Sequence, residues 1–592
     1  MCQKCAITCQ LRPIPNFTRH LIIGVTAPLS VVRMTDKQIQ ESFLIEETKE
    51  FEMNMSKNVD SYDAVVIGAG VAGLYQLHKL RALGMSVRVI EAASGVGGTW
   101  YWNRYPGARF DSQAEIYQYW FSKELYENWK PSERFPAQPE SERWLNYVAD
   151  KLDLHRDIQF ETRVDSAHWN ESGGTWSITT DNGDHLEARY LIACTGMLSA
   201  PLEDVFNGQS TFKGQICHTS RWPKEGVDLK NKRVAVIGTG ATGIQAIQTI
   251  APEVDTLKVF VRTPQYTIPM RNPKYTEEDW KSWSGQFTYL KDRVLNTFAG
   301  FDYDFDGRSW HSDSPEERKE RLENLYNDGS LALWLSSYPE MFTDEAINEE
   351  ISEFVRSKMR ERLNFDPDLC DLLIPTDYGF GIRRVPLDTG YLETYLRPNV
   401  EALNCRETPI EGIVPQGVLM KDGTVHEVDV IILATGFDAG SGALTRIDIR
   451  GKEGRSLKEE WDNEIRTAMG LQVYGYPNLF TTGAPLAPSA ALCNMTTCLQ
   501  QQVGWITDII QHANEEGKTV IEPTKQLQDE WVQHHDEVTN QTLLPLVDSW
   551  YMGTNVPGKP RRLLSYCGGV NDYNQRCVEL AENNYPGFTF SA

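Results

Sequence analysis

Three glycines with the same spacing occur twice in the chain, as Gly68-Ala-Gly70-Val-Ala-Gly73 and as Gly238-Thr-Gly240-Ala-Thr-Gly243. Such a turn suits the binding of a pyrophosphate. The first glycine turns the backbone, the second leaves room for the phosphates, and the third lets a helix pack closely on a strand. The residues downstream of the two turns differ in charge. Glu91, 18 residues after Gly73, can accept both hydroxyl protons of a ribose. After the second turn the matching place holds Arg262, then Thr263. A guanidinium pairs with a 2′-phosphate that an acid would repel, although an exposed arginine at a strand end has the same appearance. An acid at one turn and an arginine at the other point to FAD at the first and NADP at the second.

Those glycines must be held between strand and helix, and the flanking residues supply both. Tyr62 to Ile67 is a β-branched run expected as a buried parallel strand. A helix from Val71 to Leu83 comes next, with Leu74, Leu77 and Leu80 on one stripe and Gly84 placed to end it. The strand Val87 to Ile90 then closes on Glu91. Arg233 to Ile237, a helix to Ile250 and the strand Leu257 to Val261 repeat the order. Tyr190 to Gly196 and Val430 to Asp438 each read as a strand ending in a Thr-Gly turn.

The fold class expected is therefore α/β, with two Rossmann-like dinucleotide-binding domains. Between Pro269 and Leu373 the strand–helix rhythm stops, and helical stretches such as Pro315 to Asn327 and Asp344 to Arg362 indicate a helical insertion. The expected division is an FAD domain at 60–200 and 430–592, an NADP domain at 201–268 and 374–429, the insertion at 269–373, and an extension at 1–59 outside the core.

The 592 residues carry 58 basic and 82 acidic side chains, a net charge of -24. The summed field repels nucleic acid and anionic lipid. The 24% of charged residues argue against a polytopic membrane protein. Eleven irregularly spaced cysteines suit a reducing compartment rather than a disulfide framework. A cytoplasmic monomer without stable membrane insertion is expected. Residues 1–35 lack Asp and Glu and contain the apolar run Leu21 to Val32, too short to span a bilayer. They read as an organellar or signal-like segment, or as a translated stretch upstream of a start at Met34, Met53 or Met55. Cys2, Cys5 and Cys9 lack the second pair that structural zinc requires, and no metal is expected.

After the first turn, Gly97-Gly98-Thr99-Trp100-Tyr101-Trp102-Asn-Arg-Tyr105 contains no cysteine, which argues against thiol redox chemistry. It offers aromatic walls at Trp100, Tyr101, Trp102 and Tyr105, with the acid Asp111 beyond. Between the modules lies Phe212-Lys-Gly214-Gln-Ile-Cys-His218-Thr-Ser-Arg-Trp222-Pro223.

This segment matches FxGxxxHxxxW followed by Pro or Asp, the fingerprint of type I Baeyer–Villiger monooxygenases, at every fixed position. From Tyr62 to Phe588 the chain resembles that family, including the cyclohexanone, phenylacetone and steroid monooxygenases. The resemblance implies that NADPH reduces FAD, that O2 forms a flavin C4a-peroxide, and that a ketone is converted to an ester or lactone. It implies that Arg384 stabilises the peroxide and that Asp111 orients Arg384. Arg383 would join Arg262 and Thr263 on the 2′-phosphate. Trp550 would contact nicotinamide or substrate, and Gly98, Thr99, Trp100, Trp102, Asp111 and Tyr117 would line the flavin. Thr239 belongs to the second turn. His218 is expected to be a structural or hinge residue.

The segment Gly483 to Met495 departs from the family by lacking its Gly-Pro and by its greater length. Its small residues suggest room for a cyclic or bulky ketone. The rivals are an N- or S-oxygenating flavoenzyme, a non-catalytic NADP-sensing flavoprotein, and an oxidase releasing hydrogen peroxide.

Overall fold

Burial on both faces organises the first sheet. The computed structural model describes residues 59–592, so the expectations for the N-terminal extension and its cysteines lie outside the described residues. Ala64, Val65 and Val66 of the strand Asp60–Ile67 have no exposed surface. A strand covered on both sides needs no polar alternation. It runs parallel to Val87–Ile90 and to His185–Ala193, with Val66 opposite Val89 and Ile192. Ile158–Gln159 forms one edge, and an antiparallel meander through Thr175–Thr180 and Val164–Asn170 leads to Asp448–Arg450 at the other. Leu479–Thr481 also pairs with His185–Ala193.

The helix Val71–Ala82 buries Leu74, Leu77 and Leu80, the predicted stripe. Each such side chain contributes about 1.5–3 kcal/mol by leaving water. Gly84 takes φ +76° just beyond the end, a left-handed conformation that costs glycine little. The long helix Met495–Glu515 brings Thr507 to the same helix, where its Oγ1 accepts from Gln76 Nε2 at 3.1 Å.

The second sheet has five parallel strands in the order Val400–Asn404, Thr256–Val261, Arg233–Ile237, Val430–Leu433, Gln215–His218. Val430–Leu433 is thus an interior strand of the second sheet, and the expected boundary at residue 429 falls short. The chain returns to the first domain only after this strand, where Asp438 N–H donates to Ala200 O at 2.8 Å. A buried β-branched run marks a strand without saying which sheet receives it.

The insertion is built from Glu277–Leu295, Pro315–Asp328, Glu345–Arg362 and shorter helices. Thr276 with Asp279, and Ser314 with Glu317, form reciprocal capping boxes. Asp344 caps the third helix by accepting from two backbone N–H groups, and each such cap stabilises its helix by ~1 kcal/mol. The inner faces of these helices, including Ile347, Ile351 and Val355, share one hydrophobic cluster with Ile244, Ile247 and Val259 of the second module. The insertion therefore has no core separate from that module. No helix among the described residues is long and apolar enough to cross a membrane.

Candidate active site

The first glycine turn is closed by contacts that only glycine permits. Gly68 has φ +101°, and a Cβ there would lie 2.6 Å from Cys194 O. A Cβ on Gly73 would lie 1.8 Å from Gly68 O. Gly98, at φ +53°, comes so close to Gly70 that its Cβ would meet Gly70 Cα at 2.9 Å. Gly97 N–H donates to Ala69 O at 3.0 Å, tying the segment that begins Gly97-Gly98-Thr99 onto the turn. Glu91 is buried beside it, accepting from Ala69 N–H at 2.6 Å and Ala93 N–H at 2.7 Å. Burial raises its carboxyl above the usual range while these amides oppose the rise. One oxygen of Glu91 thus braces the turn itself, while the remaining lone pairs suit ribose hydroxyls. This enclosed, glycine-lined cradle fits FAD.

The second turn is more open. Gly238, at φ +108°, packs against Ala434 O, where a Cβ would lie 2.5 Å away, and Gly243 closes on Gly238 as Gly73 does on Gly68. Gly240 faces open space, with nothing within 4 Å of a built Cβ. Thr239 Oγ1 donates to Thr263 O at 2.8 Å, so the turn holds the residue after Arg262. Arg262 itself is exposed. These residues fit a phosphorylated dinucleotide arriving from solvent.

Arg383 and Arg384, adjacent in sequence, have different surroundings. Arg383 lies over the Tyr378 ring at 4.5 Å and donates to Asp548 O at 2.5 Å. The Tyr378 hydroxyl donates to Pro264 O at 2.7 Å, which connects Arg383 to the chain just past Arg262 and Thr263. Arg384 Nη2 reaches both carboxylate oxygens of Asp111 at 2.5 Å, and Nη1 donates to Ala490 O at 2.9 Å. Trp334, fully buried in the insertion, stands 5.5 Å from the Arg384 guanidinium. Burial alone would lower the guanidinium's pKa; Asp111 more than offsets this and holds it above its ordinary value. Arg384 is therefore a fixed cation in a partly dry setting, suited to stabilising negative charge that develops on oxygen. The Tyr551 hydroxyl donates to Ala491 O at 2.6 Å, and half-buried Trp550 stands edge-on to Tyr551 at 4.5 Å. Trp550 is thus linked through Tyr551 to the segment that Arg384 holds.

Residues 62–270 match the family described as flavin-binding monooxygenase-like. The chain is 60% identical over 529 residues to an acetone monooxygenase (methyl acetate-forming) of Gordonia sp. strain TY-5, covering 89% of this chain and 99% of that protein. A Baeyer–Villiger monooxygenase of Pseudooceanicola batsensis is 37% identical over 526 residues, 88% of this chain and 95% of the relative. The chain belongs to the type I Baeyer–Villiger flavin monooxygenases. A crystal structure of cyclohexanone monooxygenase from Rhodococcus sp. Phi1 bound to NADP+ matches this monooxygenase with a TM-score of 0.87 at 37% identity. That match covers 90% of this chain and 100% of the other.

The aromatic residues after the first turn of the monooxygenase point to different sides. Trp100 Nε1 donates to the Tyr117 hydroxyl at 3.0 Å, and Tyr117 stacks on Phe110 at 4.2 Å, within the first domain's core. Tyr105 turns the other way, into the second module, where its hydroxyl donates to Gln245 Oε1 at 2.7 Å. Tyr101 lies under the Lys224 ammonium at 4.7 Å, and Trp102 under Arg221 at 4.6 Å. Aromatic composition alone carries no direction, because the short helix Thr99–Trp102 points successive rings to different sides.

The fingerprint segment of the monooxygenase runs through the edge strand Gln215–His218 of the second sheet. Gly214 is required where the chain passes Asp429, since a Cβ would lie 2.2 Å from Asp429 O. Phe212 packs against the small antiparallel sheet that includes Val418. His218 is buried and caps the turn Thr219–Arg221, its Nδ1 accepting from Ser220 N–H at 3.2 Å. Burial, reinforced by Arg221, lowers the imidazole to about 4, which suits a neutral structural residue. Trp222 is buried and Pro223 half-buried beside that turn. Trp334 and Tyr551 were not foreseen, and Ala490 lies in the segment Gly483 to Met495 already singled out; only the fold brings the three to Arg384.

A cleft of about 560 Å³ lies elsewhere, around Arg362 and Asp388. Arg362 is committed there to Asp388 and Glu393, and Lys358 to Glu323, so neither presents an unpaired charge to the cleft.

Proposed function

We propose that this monooxygenase converts small open-chain ketones, of the size of acetone, to their esters. The family chemistry is Baeyer–Villiger oxygenation with FAD, NADPH and O2: one oxygen atom enters the product, and the other leaves as water with the hydride from NADPH and a proton. Bound FAD supplies the activated oxygen. The protein's own part is to hold a cation at the reacting oxygens and to keep water out. Arg384 held by both oxygens of Asp111 is the observation that carries this reading.

The preference for a small ketone replaces the bulky one suggested by the segment 483–495. Its Ala490 and Ala491 carbonyls are taken by Arg384 and Tyr551, and Ala491 and Leu492 are buried. Small side chains there let the backbone approach Arg384. Trp334 and Tyr551 are buried, and Trp334 stands against the Arg384 guanidinium. The 60% identity to a protein named acetone monooxygenase supports the same choice. A cytoplasmic, monomeric enzyme is proposed with it; the eight free cysteines among the described residues support the reducing compartment.

The test is product analysis on acetone, butanone, cyclohexanone and a bulky ring ketone, with an amine and a sulfide alongside. Esters gaining one oxygen, formed fastest from the smallest ketones, are expected. Faster turnover of the bulky ring would overturn the size preference. Oxygenation of amine or sulfide without ester would favour the N- or S-oxygenating rival.

A further inference from the structure

One helix of the second module reaches the segments on both sides of the Arg384–Asp111 pair. Ala241–Ile250 starts at Gly240 in the second glycine turn, and no side chain caps its first N–H groups. Those groups are left for the phosphates of the second nucleotide. Further along the same helix, buried Gln245 crosses to the first module. Its Oε1 accepts from the Tyr105 hydroxyl at 2.7 Å and from Arg109 N–H at 3.4 Å, and its Nε2 donates to Arg109 O at 3.0 Å. Both backbone polar groups of Arg109 are thus paired to one side chain, as a neighbouring strand would pair them.

Arg109 lies two residues before Asp111, and the loop between has little freedom. Gly107, at φ +83°, lies flush on the helix: a Cβ there would meet Thr249 Oγ1 at 2.2 Å and Gln245 O at 2.5 Å. The loop is tied to its own module as well, with Gln138 N–H donating to Ala108 O at 2.8 Å and Arg109 Nη1 donating to Phe135 O at 3.1 Å. On the arginine's side, Gln248 Oε1 of the same helix accepts from Thr389 N–H at 2.8 Å. Between Arg384 and Thr389, Val385 and Leu387 are buried in the hydrophobic cluster that holds Ile244 and Ile247. The helix therefore holds the arginine's segment mainly by packing and the aspartate's loop by an amide. Apolar packing is non-directional, whereas the hydrogen bonds of an amide fix a register.

We propose that Gln245 is a positioning residue for the Asp111–Arg384 pair: its side-chain amide registers the loop 105–111 on the helix that takes the second nucleotide, and so sets where Asp111 holds the guanidinium. This rests on the proposal that Arg384 carries oxygen transfer. Without the amide the loop loses its register, and the guanidinium is no longer held where oxygen reacts. O2 then takes the hydride of NADPH and a proton and leaves as hydrogen peroxide, with no ketone oxygenated. The glycine turn and Arg262, which hold the nucleotide, are left intact.

The experiment measures ester formed and hydrogen peroxide released per NADPH oxidised, together with KM for NADPH, FAD content and Tm. Gln245→Met keeps the length of the side chain and removes both polar ends. Its ester yield per NADPH should fall about tenfold, with peroxide making up the difference, since small misplacements near a reacting centre carry losses of this order. Its KM for NADPH should stay within about twofold of the parent's. Tyr105→Phe removes only one donor to the amide and should lower the ester yield by about twofold to threefold. The double variant should be no worse than Gln245→Met alone, because the hydroxyl acts through the amide. Parental coupling in FAD-bound Gln245→Met overturns the proposal whatever its Tm, and so do additive losses in the double variant. A coupling loss matched by an equal rise in KM for NADPH also overturns it, by placing Gln245 in nucleotide binding. If Gln245→Met fails to hold FAD, FAD-bound Tyr105→Phe decides: lowered coupling supports the proposal and parental coupling overturns it. Arg384→Ala separates the two proposals. Ester retained by that variant removes the underlying reading, whereas ester lost there with full coupling in Gln245→Met removes only this one.

Discussion

The two glycine turns share a spacing and a strand–turn–helix frame, yet one is enclosed and the other open. At the first, Gly70 and Gly98 touch, Gly97 is bonded to the turn, and buried Glu91 braces it. At the second, Gly240 meets nothing and Arg262 is in water. The frame creates a phosphate site; what closes over it sets how long the nucleotide stays. Enclosure suits a flavin retained through many turnovers, and openness suits a nicotinamide nucleotide that must enter oxidisable and leave oxidised. Arg384 lies where the two halves meet, reaching from the second module's return to Asp111 of the first.

The largest effect should come from that meeting point. Arg384→Ala is expected to lower ester formation by ~10²–10³-fold or more, while FAD content holds and NADPH oxidation shifts to peroxide release. Ester at near the parental rate from an FAD-bound variant would remove Arg384 from the chemistry. Next, Gly98→Ala places a methyl 2.9 Å from the Gly70 backbone at φ +53°, a strain of about 1–3 kcal/mol. The expected result is purified protein depleted of FAD, read from the ratio of flavin to protein absorbance. Arg262→Ala should raise the KM for NADPH by ~10–100-fold with kcat little changed, and narrow the advantage over NADH, consistent with loss of about 1.5–3 kcal/mol of charge-assisted bonding. Gly240→Ala is the contrast: its Cβ meets no protein atom, so the enzyme should fold and keep FAD, while the methyl takes room that the second glycine leaves for the phosphates and the KM for NADPH rises. Equal loss of FAD from Gly98→Ala and Gly240→Ala would break the distinction between the turns.

Both turns were legible because their signals are local: β-branched runs, three glycines and a helical stripe lie within about thirty residues of each other. The helix Val71–Ala82 and the strand Val87–Ile90 fall where they were expected. The sheet membership of Val430–Leu433 was not legible, because every buried parallel strand has the same pattern. Asp111 and Arg384 are 273 positions apart, and their pairing came from family resemblance alone. Trp334, from the insertion, carries no local mark, and the segment holding Ala490 was marked for its small side chains rather than for the carbonyl that Arg384 uses. The directions of the aromatic rings after Gly98 were not legible for a related reason: composition names the rings, and only the fold sends Trp100 into the first core and Tyr105 into the second.

The smallest effect concerns His218, on the fingerprint strand that joins the two regions. Burial lowers its imidazole to about 4 in the folded protein, against an unfolded value of roughly 6.5. Between these values the unfolded chain binds more protons than the folded one, so stability is full above about pH 6.5 and falls as pH drops toward 4. The loss attributable to this residue is at most ~3 kcal/mol. His218→Asn keeps an acceptor for Ser220 N–H and removes the titration, so its Tm should fall less steeply than the parent's between about pH 6.5 and pH 4. Because the residue touches the linker and neither glycine turn, FAD content and the KM for NADPH should change less than in the variants above. A parallel pair of Tm–pH curves would mean that other groups set the acid limb. A large rise in KM for NADPH would instead mean that the linker, and not only the openness of the second turn, governs nucleotide entry.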